Sequence, residues 1–417
     1  MERIGNPRFA GNELAYVKEA LERGFKPAPS GTMKDRLERA FAGRFGMPYG
    51  VASNSGTSPI HQALMALGVA PGDEVVTTPL APAMPAYAIV QAGATPVFAD
   101  VDPDSFLIDP AEIERKITAK TRAILLVHLY GAVCDMPAIM AIARARGLAV
   151  IEDCAQCVLG TDREGRLAGT IGDAATFSFD NKKHLSSGEG GMLLARDPGV
   201  AERARRFGGL GFGTITAETG NVARALADFQ DPDFKRHESF GYNYRLSEIA
   251  AAVALGQLER VDEIVDNRRL MAERFAAVIG DTGCDWLVPQ RLDPGGKSAW
   301  WTFTVRYDGE DRFGVSWQSF RETFMRAGGD GIYAAWQLAY REPALVRLGR
   351  SGQVFGTGDI QFDTQLPWTI GMLDNIACPH AEELQPRLLQ FTTNQLTEAE
   401  REQQADALRK AIESVTV

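Results

Sequence analysis

Short apolar runs alternate with amphipathic segments between residues 49 and 195, and this alternation limits the possible folds more than any other feature. Ala123-Ile124-Leu125-Leu126-Val127 and Leu148-Ala149-Val150-Ile151 are unbroken apolar runs, as expected of strands buried on both faces. Further strands are expected from Tyr49, over Asp73–Pro79, Thr95–Asp100 and Ala174–Phe179, and at Met192–Ala195. Helical patterns lie between them at His61–Leu67, Met84–Ala92 and Met136–Arg146, the last ended by Gly147. Such alternation argues for an α/β fold with a mostly parallel central sheet wrapped by helices. Ligands of open sheets bind beyond the carboxyl ends of the strands, so residues there are the first candidates for chemistry.

The flanks add two units. Residues 11–46 predict two helices. Asn12 caps the first, with Leu14, Val17, Ala20 and Leu21 on one face; Leu37, Ala40, Phe41 and Phe45 mark the second. After the sheet come a polar insertion, Gly211–Lys235, and a small-residue helix, Ala250–Leu258. A long helix, Val261–Val278, leads to a smaller α+β C-terminal domain. The expected division is 1–280 and 281–417, with a strand at Trp300–Tyr307 and helices around Ser316–Ala327 and Glu398–Ile412. A net charge of −10 without a basic-aromatic patch argues against a nucleic-acid partner. No apolar run reaches the roughly 18 residues that span a bilayer. The N-terminal segment lacks a signal-peptide core, and the five cysteines suit a reduced, cytoplasmic protein. Cys154-Ala155-Gln156-Cys157 lacks a second cysteine pair, and His184 is off zinc spacing, so no metal is expected and the pair reads as buried small residues.

Three places carry potential chemistry. The turn after Phe179 holds Lys182 and Lys183. A lysine there is a candidate Schiff-base nucleophile if burial or a neighbouring cation keeps its amine neutral; otherwise it is a solvated turn lysine. Ser55-Gly56-Thr57 opens a helix whose first amides suit a phosphate, although such a stretch also serves as a plain cap. Asp153 follows a buried strand, with Gln156 three residues on; alone, these are equally a strand-end cap and a surface amide. Asn243 alone reads as a turn residue.

In this order and spacing, Gly56-Thr57, Gly72-Asp73-Glu74-Val75-Val76-Thr77-Thr78-Pro79, His128-Leu129-Tyr130-Gly131, Asp153-x-x-Gln156, Ser178 five residues before Lys183, and Gly188-Glu189-Gly190-Gly191 resemble the fold-type I pyridoxal 5'-phosphate (PLP) enzymes. The likeness is to the DegT/DnrJ group of sugar aminotransferases. It implies PLP joined to Lys183, with Asp153 on the pyridine nitrogen and Gln156 on the ring's phenolic oxygen. Gly56, Thr57 and Ser178 would hold the phosphate. Asn243 would reach the phosphate of the neighbouring subunit, so the protein would be a homodimer. Lysine rather than histidine at the Lys183 position favours transamination over the dehydratase relatives. Pro82 stands where the family places an aromatic residue on the cofactor ring. Residues 330–336 resemble relatives acting on cyclitols or aminohydroxybenzoate precursors more than those acting on nucleotide sugars. Tyr333, Trp336 and His184 are the candidate substrate contacts, with His184 read equally as packing against the loop. The implied activity moves an amino group from glutamine or glutamate to a keto-sugar, keto-cyclitol or related polar ketone. The alternatives are a PLP-dependent dehydratase or lyase on the same scaffold and a non-catalytic PLP-binding regulator.

Overall fold

The computed structural model describes residues 6–220, 230–352, 370–374 and 376–415, with the backbone of 356–357 and 360–361. Residues 1–5, read for a leader, and 221–229 of the expected insertion lie outside the described residues. Helices α1 (Glu13–Glu22) and α2 (Met33–Arg44) precede the sheet. A reciprocal cap between Thr32 and Asp35 starts α2. The sheet strands and their helices are β1 (Tyr49–Ser53), α3 (Thr57–Ala66), β2 (Glu74–Thr77), α4 (Met84–Gln91), β3 (Thr95–Phe98), α5 (Pro110–Lys116), β4 (Thr121–Val127), α6 (Met136–Arg146), β5 (Ala149–Asp153), β6 (Ala174–Ser178) and β7 (Gly191–Ala195). Asp135 caps α6, and Gly147 at φ 64° ends it.

The strands form one seven-stranded sheet in the order β1-β7-β6-β5-β4-β2-β3. β2 to β6 run parallel, whereas β7 is antiparallel to both its neighbours. The register pairs Val127 with Asp153, Asp153 with Thr176, and Gly191 with both Ser178 and Ser53. Ser53, Val127, Asp153 and Ser178 therefore end at one edge of the sheet. That edge holds the candidate site.

Beyond the sheet lie α7 (Pro198–Gly208), α8 (Glu248–Leu258) and the long α9 (Val261–Asp281). A second, antiparallel sheet follows, made of β8 (Leu287–Pro289), β9 (Thr302–Tyr307), β10 (Ile332–Ala334) and β11 (Leu388–Thr392) in the order β10-β11-β9-β8. Phe275 of α9 packs into its core with Phe303, Phe324 and Phe391. Leu338, Leu345, Ala381 and Leu384 return to the core of the first sheet instead.

Three expectations about the flanks change. Leu14 and Leu21, assigned to the inner face of α1, are 38% and 57% exposed; Ala20 is the buried member. Ala40 is exposed, and Ala42 takes its place inside. The strand expected from Trp300 starts at Thr302 because Trp300 turns the chain at φ 47°.

Candidate active site

Lys183 sits in a turn built by Asp180. The Asp180 carboxylate accepts from the Lys182 amide at 3.0 Å, and its carbonyl accepts from the Lys183 amide at 3.0 Å. The Arg8 guanidinium donates to the carbonyls of Asn181 and Lys183, the latter at 2.7 Å. Lys182 points into solvent, whereas Lys183 is half-buried, with its Nζ 4.3 Å from the ring centroid of Trp301. Burial lowers the Lys183 amine from its usual range; Asp153 and Asp180 oppose the shift, while Arg268 and then Lys182 add to it. Lys182, expected as the neighbouring cation, is thus joined by Arg268 from α9.

Asp153 ends β5 at 5% exposure, its Oδ1 accepting from the Ala155 amide at 2.9 Å. Burial raises its carboxyl above the usual range; the Ala155 amide, then Lys183, then His128 pull the other way. Gln156 is buried, and its Oε1 accepts from the Tyr130 amide at 2.8 Å. Ser178 accepts from the Asp180 amide at 3.3 Å. Gly56 lies against Ser178 so closely that a Cβ would stand 2.6 Å from Ser178 Cβ. That contact brings the start of α3, with Thr57 as its first residue, onto Ser178.

The other candidates have varied surroundings. His184 is 1% exposed, and its Nε2 donates to the Ala299 carbonyl at 2.9 Å. Tyr333 is 54% exposed. Trp336 stacks nearly parallel to both Tyr130 and Trp301, at 5.9 and 5.7 Å between centroids. The Asn243 side chain is exposed and accepts from Arg245 at 3.0 Å, while its carbonyl accepts from Asn54 at 3.4 Å.

Sequence reasoning assigned no role to Trp301, Tyr130, Glu152 or Arg268. Glu152 lies under the site. Its Oε2 accepts from His128 Nε2 and the Gly169 amide, and its Oε1 from the amides of Ile171 and Gly172. Burial works to raise this carboxyl, but His128 and the amides outweigh it and hold it below its usual range. His128 Nδ1 accepts from the Cys134 amide, so the hydrogen bond to Glu152 is donated from Nε2. His128, Glu152 and Cys154 come close enough to share an ion. However, both imidazole nitrogens are already engaged, and a metal would have to displace those bonds. The adjacent tryptophans Trp300-Trp301 at a strand start were the available signal for the aromatic wall.

These residues suit PLP. The start of α3 packs against Ser178, and the open amides of a helix start beside a serine hydroxyl suit a phosphate. A buried carboxylate at Asp153 suits a protonated pyridine nitrogen. A lysine with a lowered pKa suits an aldehyde carbon.

Comparison with known proteins agrees. Residues 7–329 match the DegT/DnrJ/EryC1/StrS aminotransferase family. A GDP-perosamine synthase from Caulobacter vibrioides is 37% identical over 305 residues, covering 73% of this chain and 76% of the relative. The structure of the aminotransferase from Psychrobacter cryohalolentis superposes with a TM-score of 0.82 at 26% identity, covering 100% of both chains. That of 3-amino-5-hydroxybenzoic acid (AHBA) synthase gives 0.79 at 25% identity over 99% of both. The chain belongs to the DegT/DnrJ/EryC1/StrS family and is a PLP-dependent aminotransferase.

Proposed function

We propose that the protein transfers an amino group from glutamate or glutamine to a keto-sugar or a related polar cyclic ketone. The observation that carries this reading is the meeting of Lys183, Asp153, Gln156, Ser178 and the Gly56–Thr57 turn at one sheet edge. When bound, PLP supplies the electron sink that makes the substrate's α-proton acidic. Lys183 would hold the cofactor at its aldehyde carbon and would later hold the proton that moves at the reacting carbon. Its lowered pKa raises the neutral share of the amine for both tasks. Asp153 would accept from the pyridine nitrogen. Gln156, held by the Tyr130 amide, would hold the phenolic oxygen. Gly56, Thr57 and Ser178 would hold the phosphate.

Similarity to a GDP-perosamine synthase supports a sugar acceptor, and similarity to AHBA synthase keeps a non-sugar ring in view. Asn243 from a second copy completes the phosphate site in a homodimer; its exposed position supports this part of the reading. Among the described residues no helix is long and apolar enough to cross a membrane, and we place the protein in the cytoplasm.

The test is the absorption spectrum of the PLP-loaded protein before and after L-glutamate and L-glutamine. Conversion of the cofactor band to that of pyridoxamine phosphate by either donor supports the transfer and identifies the donor. A band that neither donor changes would overturn glutamate and glutamine as the donors. Lys183→Ala should bind PLP without covalent attachment, turn over neither donor and keep the far-UV circular dichroism of the parent. Full activity in that variant would sink the assignment.

A further inference from the structure

Several features of this molecule are explained by local structure. A cavity of about 300 Å³ between Asp281–Trp286 and Arg409–Glu413 is lined by loop and helix-end groups, among them the buried Cys284, Trp286 and Ile412, with no convergent chemistry. The His128–Glu152–Cys154 cluster has both imidazole nitrogens and both carboxylate oxygens engaged. The aromatic wall over Lys183 differs, because its geometry converges on one reactive atom.

Trp301 makes two contacts to the lysine turn. Its indole face lies over the Lys183 ammonium at 4.3 Å, and its indole N–H donates to the Lys182 carbonyl at 2.8 Å. The residue is itself firmly held. Its carbonyl accepts from the buried Arg268 guanidinium at 2.9 Å and from Thr393 Oγ1 at 3.1 Å. Trp336 stacks on its ring, and Tyr130 stacks on Trp336. Two residues flanking this assembly, Tyr130 and Trp300, hold the left-handed backbone region at φ 61° and 47°. Such strain persists only where surrounding structure enforces it. The segment before β9 is thus fixed so that one indole reaches one lysine.

We propose that Trp301 is a positioning residue for Lys183, holding the amine over its ring and the turn by its N–H, and thereby setting the pH at which Lys183 becomes neutral. This rests on Lys183 being the residue that binds the cofactor. The ring face favours the ammonium and so opposes the burial that favours the neutral amine. The other charged groups facing Lys183 are Asp153 from β5, Asp180 and Lys182 from the same turn, Arg268 from α9 and Arg8 from the N-terminal segment. A fluorinated ring at 301 keeps the N–H and the shape of Trp301, so it tests the ring face with these groups in place.

The experiment measures covalent capture of PLP against pH, with borohydride trapping and peptide mass analysis. The proteins are the parent, Trp301→Leu, Trp301→Phe, and a parent carrying fluorinated tryptophan at 301. Capture needs the neutral amine, so its midpoint follows the Lys183 pKa. Loss of the ring in Trp301→Leu should lower the midpoint by about half a pH unit to one and a half. The fluorinated ring, unchanged in shape but with a weaker negative face, should lower it by less. Trp301→Phe keeps a ring face but loses the N–H, and its midpoint should fall between those of the leucine variant and the parent. A midpoint that is unmoved or raised in both the leucine and the fluorinated proteins overturns the proposal. If the leucine variant does not fold, the fluorinated protein decides alone. No trapped peptide containing Lys183 in the parent would overturn the underlying assignment instead, so the two failures are distinguishable.

Discussion

Glu152→Gln is the substitution for which the structure gives the sharpest stability prediction. The carboxylate is buried and accepts four bonds: from His128 at 3.0 Å, Gly169 at 2.9 Å, Ile171 at 2.8 Å and Gly172 at 2.7 Å. Glutamine has the same shape but presents one oxygen and one NH₂ group. Whichever way it is turned, the NH₂ faces two donors, either His128 and Gly169 or Ile171 and Gly172. His128 cannot relieve the clash by moving its proton, because its Nδ1 must accept from Cys134. Two buried donors are therefore left unsatisfied at about 1–3 kcal/mol each, which puts the loss near 4 kcal/mol. The assay is urea unfolding at pH 7, followed by circular dichroism and tryptophan fluorescence. The pH dependence follows from the lowered Glu152 pKa. A carboxyl held below its unfolded value contributes stability that is present above the ordinary value of 4.5 and lost as pH falls through the folded value. The gap between parent and variant should therefore narrow below about pH 4.5. A loss under about 1 kcal/mol at pH 7, or a gap that does not narrow in acid, would refute the reasoning.

Three further substitutions probe the site. Asp153→Asn should cut turnover about a hundredfold or more, as removal of a preorganised charge does, measured as the half-reaction rate with each donor. Because burial raises the Asp153 pKa, its charge costs the apo fold stability above its ordinary value of 3.8. The asparagine variant should therefore be no less stable than the parent at pH 7, with the difference closing in acid; a marked loss at pH 7 would count against this reading. Gly56→Ala puts a methyl group 2.6 Å from Ser178 Cβ. Overpacking of about 1–3 kcal/mol should weaken PLP binding tenfold or more by absorbance titration, and unchanged affinity would remove Gly56 from the phosphate site. The Tyr130 hydroxyl is buried without a hydrogen-bond partner among the described residues. Tyr130→Phe should leave thermal stability unchanged or raise it by up to about 1 kcal/mol, and a clear loss would reveal a partner for the hydroxyl.

The parts of the fold written in local patterns were the legible ones. The buried strand at 121–127 and the helix at 136–146, with its Asp135 cap and Gly147 stop, follow from hydrophobic runs and punctuation. Lys183 could be singled out because a strand, a polar turn and a glycine-rich return lie within sixteen residues of sequence. Trp301 could not. It meets Lys183 across 118 positions, and its effect depends on Arg268, Trp336 and the turn at Trp300, each placed by tertiary packing. Leu14 and Leu21 mislead for a related reason. Their spacing marks one helix face, but periodicity does not say whether this chain's own core covers it. His184 and Lys183 are adjacent in sequence yet have opposite environments. One donates into the wall behind the turn, and the other points over a ring at its front.

Gly131 explains why the wall has its spacing. It adopts φ 105°, and a Cβ there would stand 2.5 Å from the Trp300 amide nitrogen and 2.9 Å from that of Trp301. Its carbonyl accepts from the Ala299 amide at 2.9 Å. The end of β4 and the approach to β9 therefore touch backbone to backbone. The gap between the Asp153 edge of the first sheet and the aromatic residues leading into the second thus rests on a main-chain contact in addition to the Arg268, His184 and Trp336 side chains. A side chain at 131 would push Trp301 away from Lys183 without altering any residue that touches the amine. The rings at 301 and 336, by contrast, can be exchanged without moving that contact. Substitutions that retune the site should therefore be tolerated at the rings and rejected at the glycine that fixes the distance between them and the lysine.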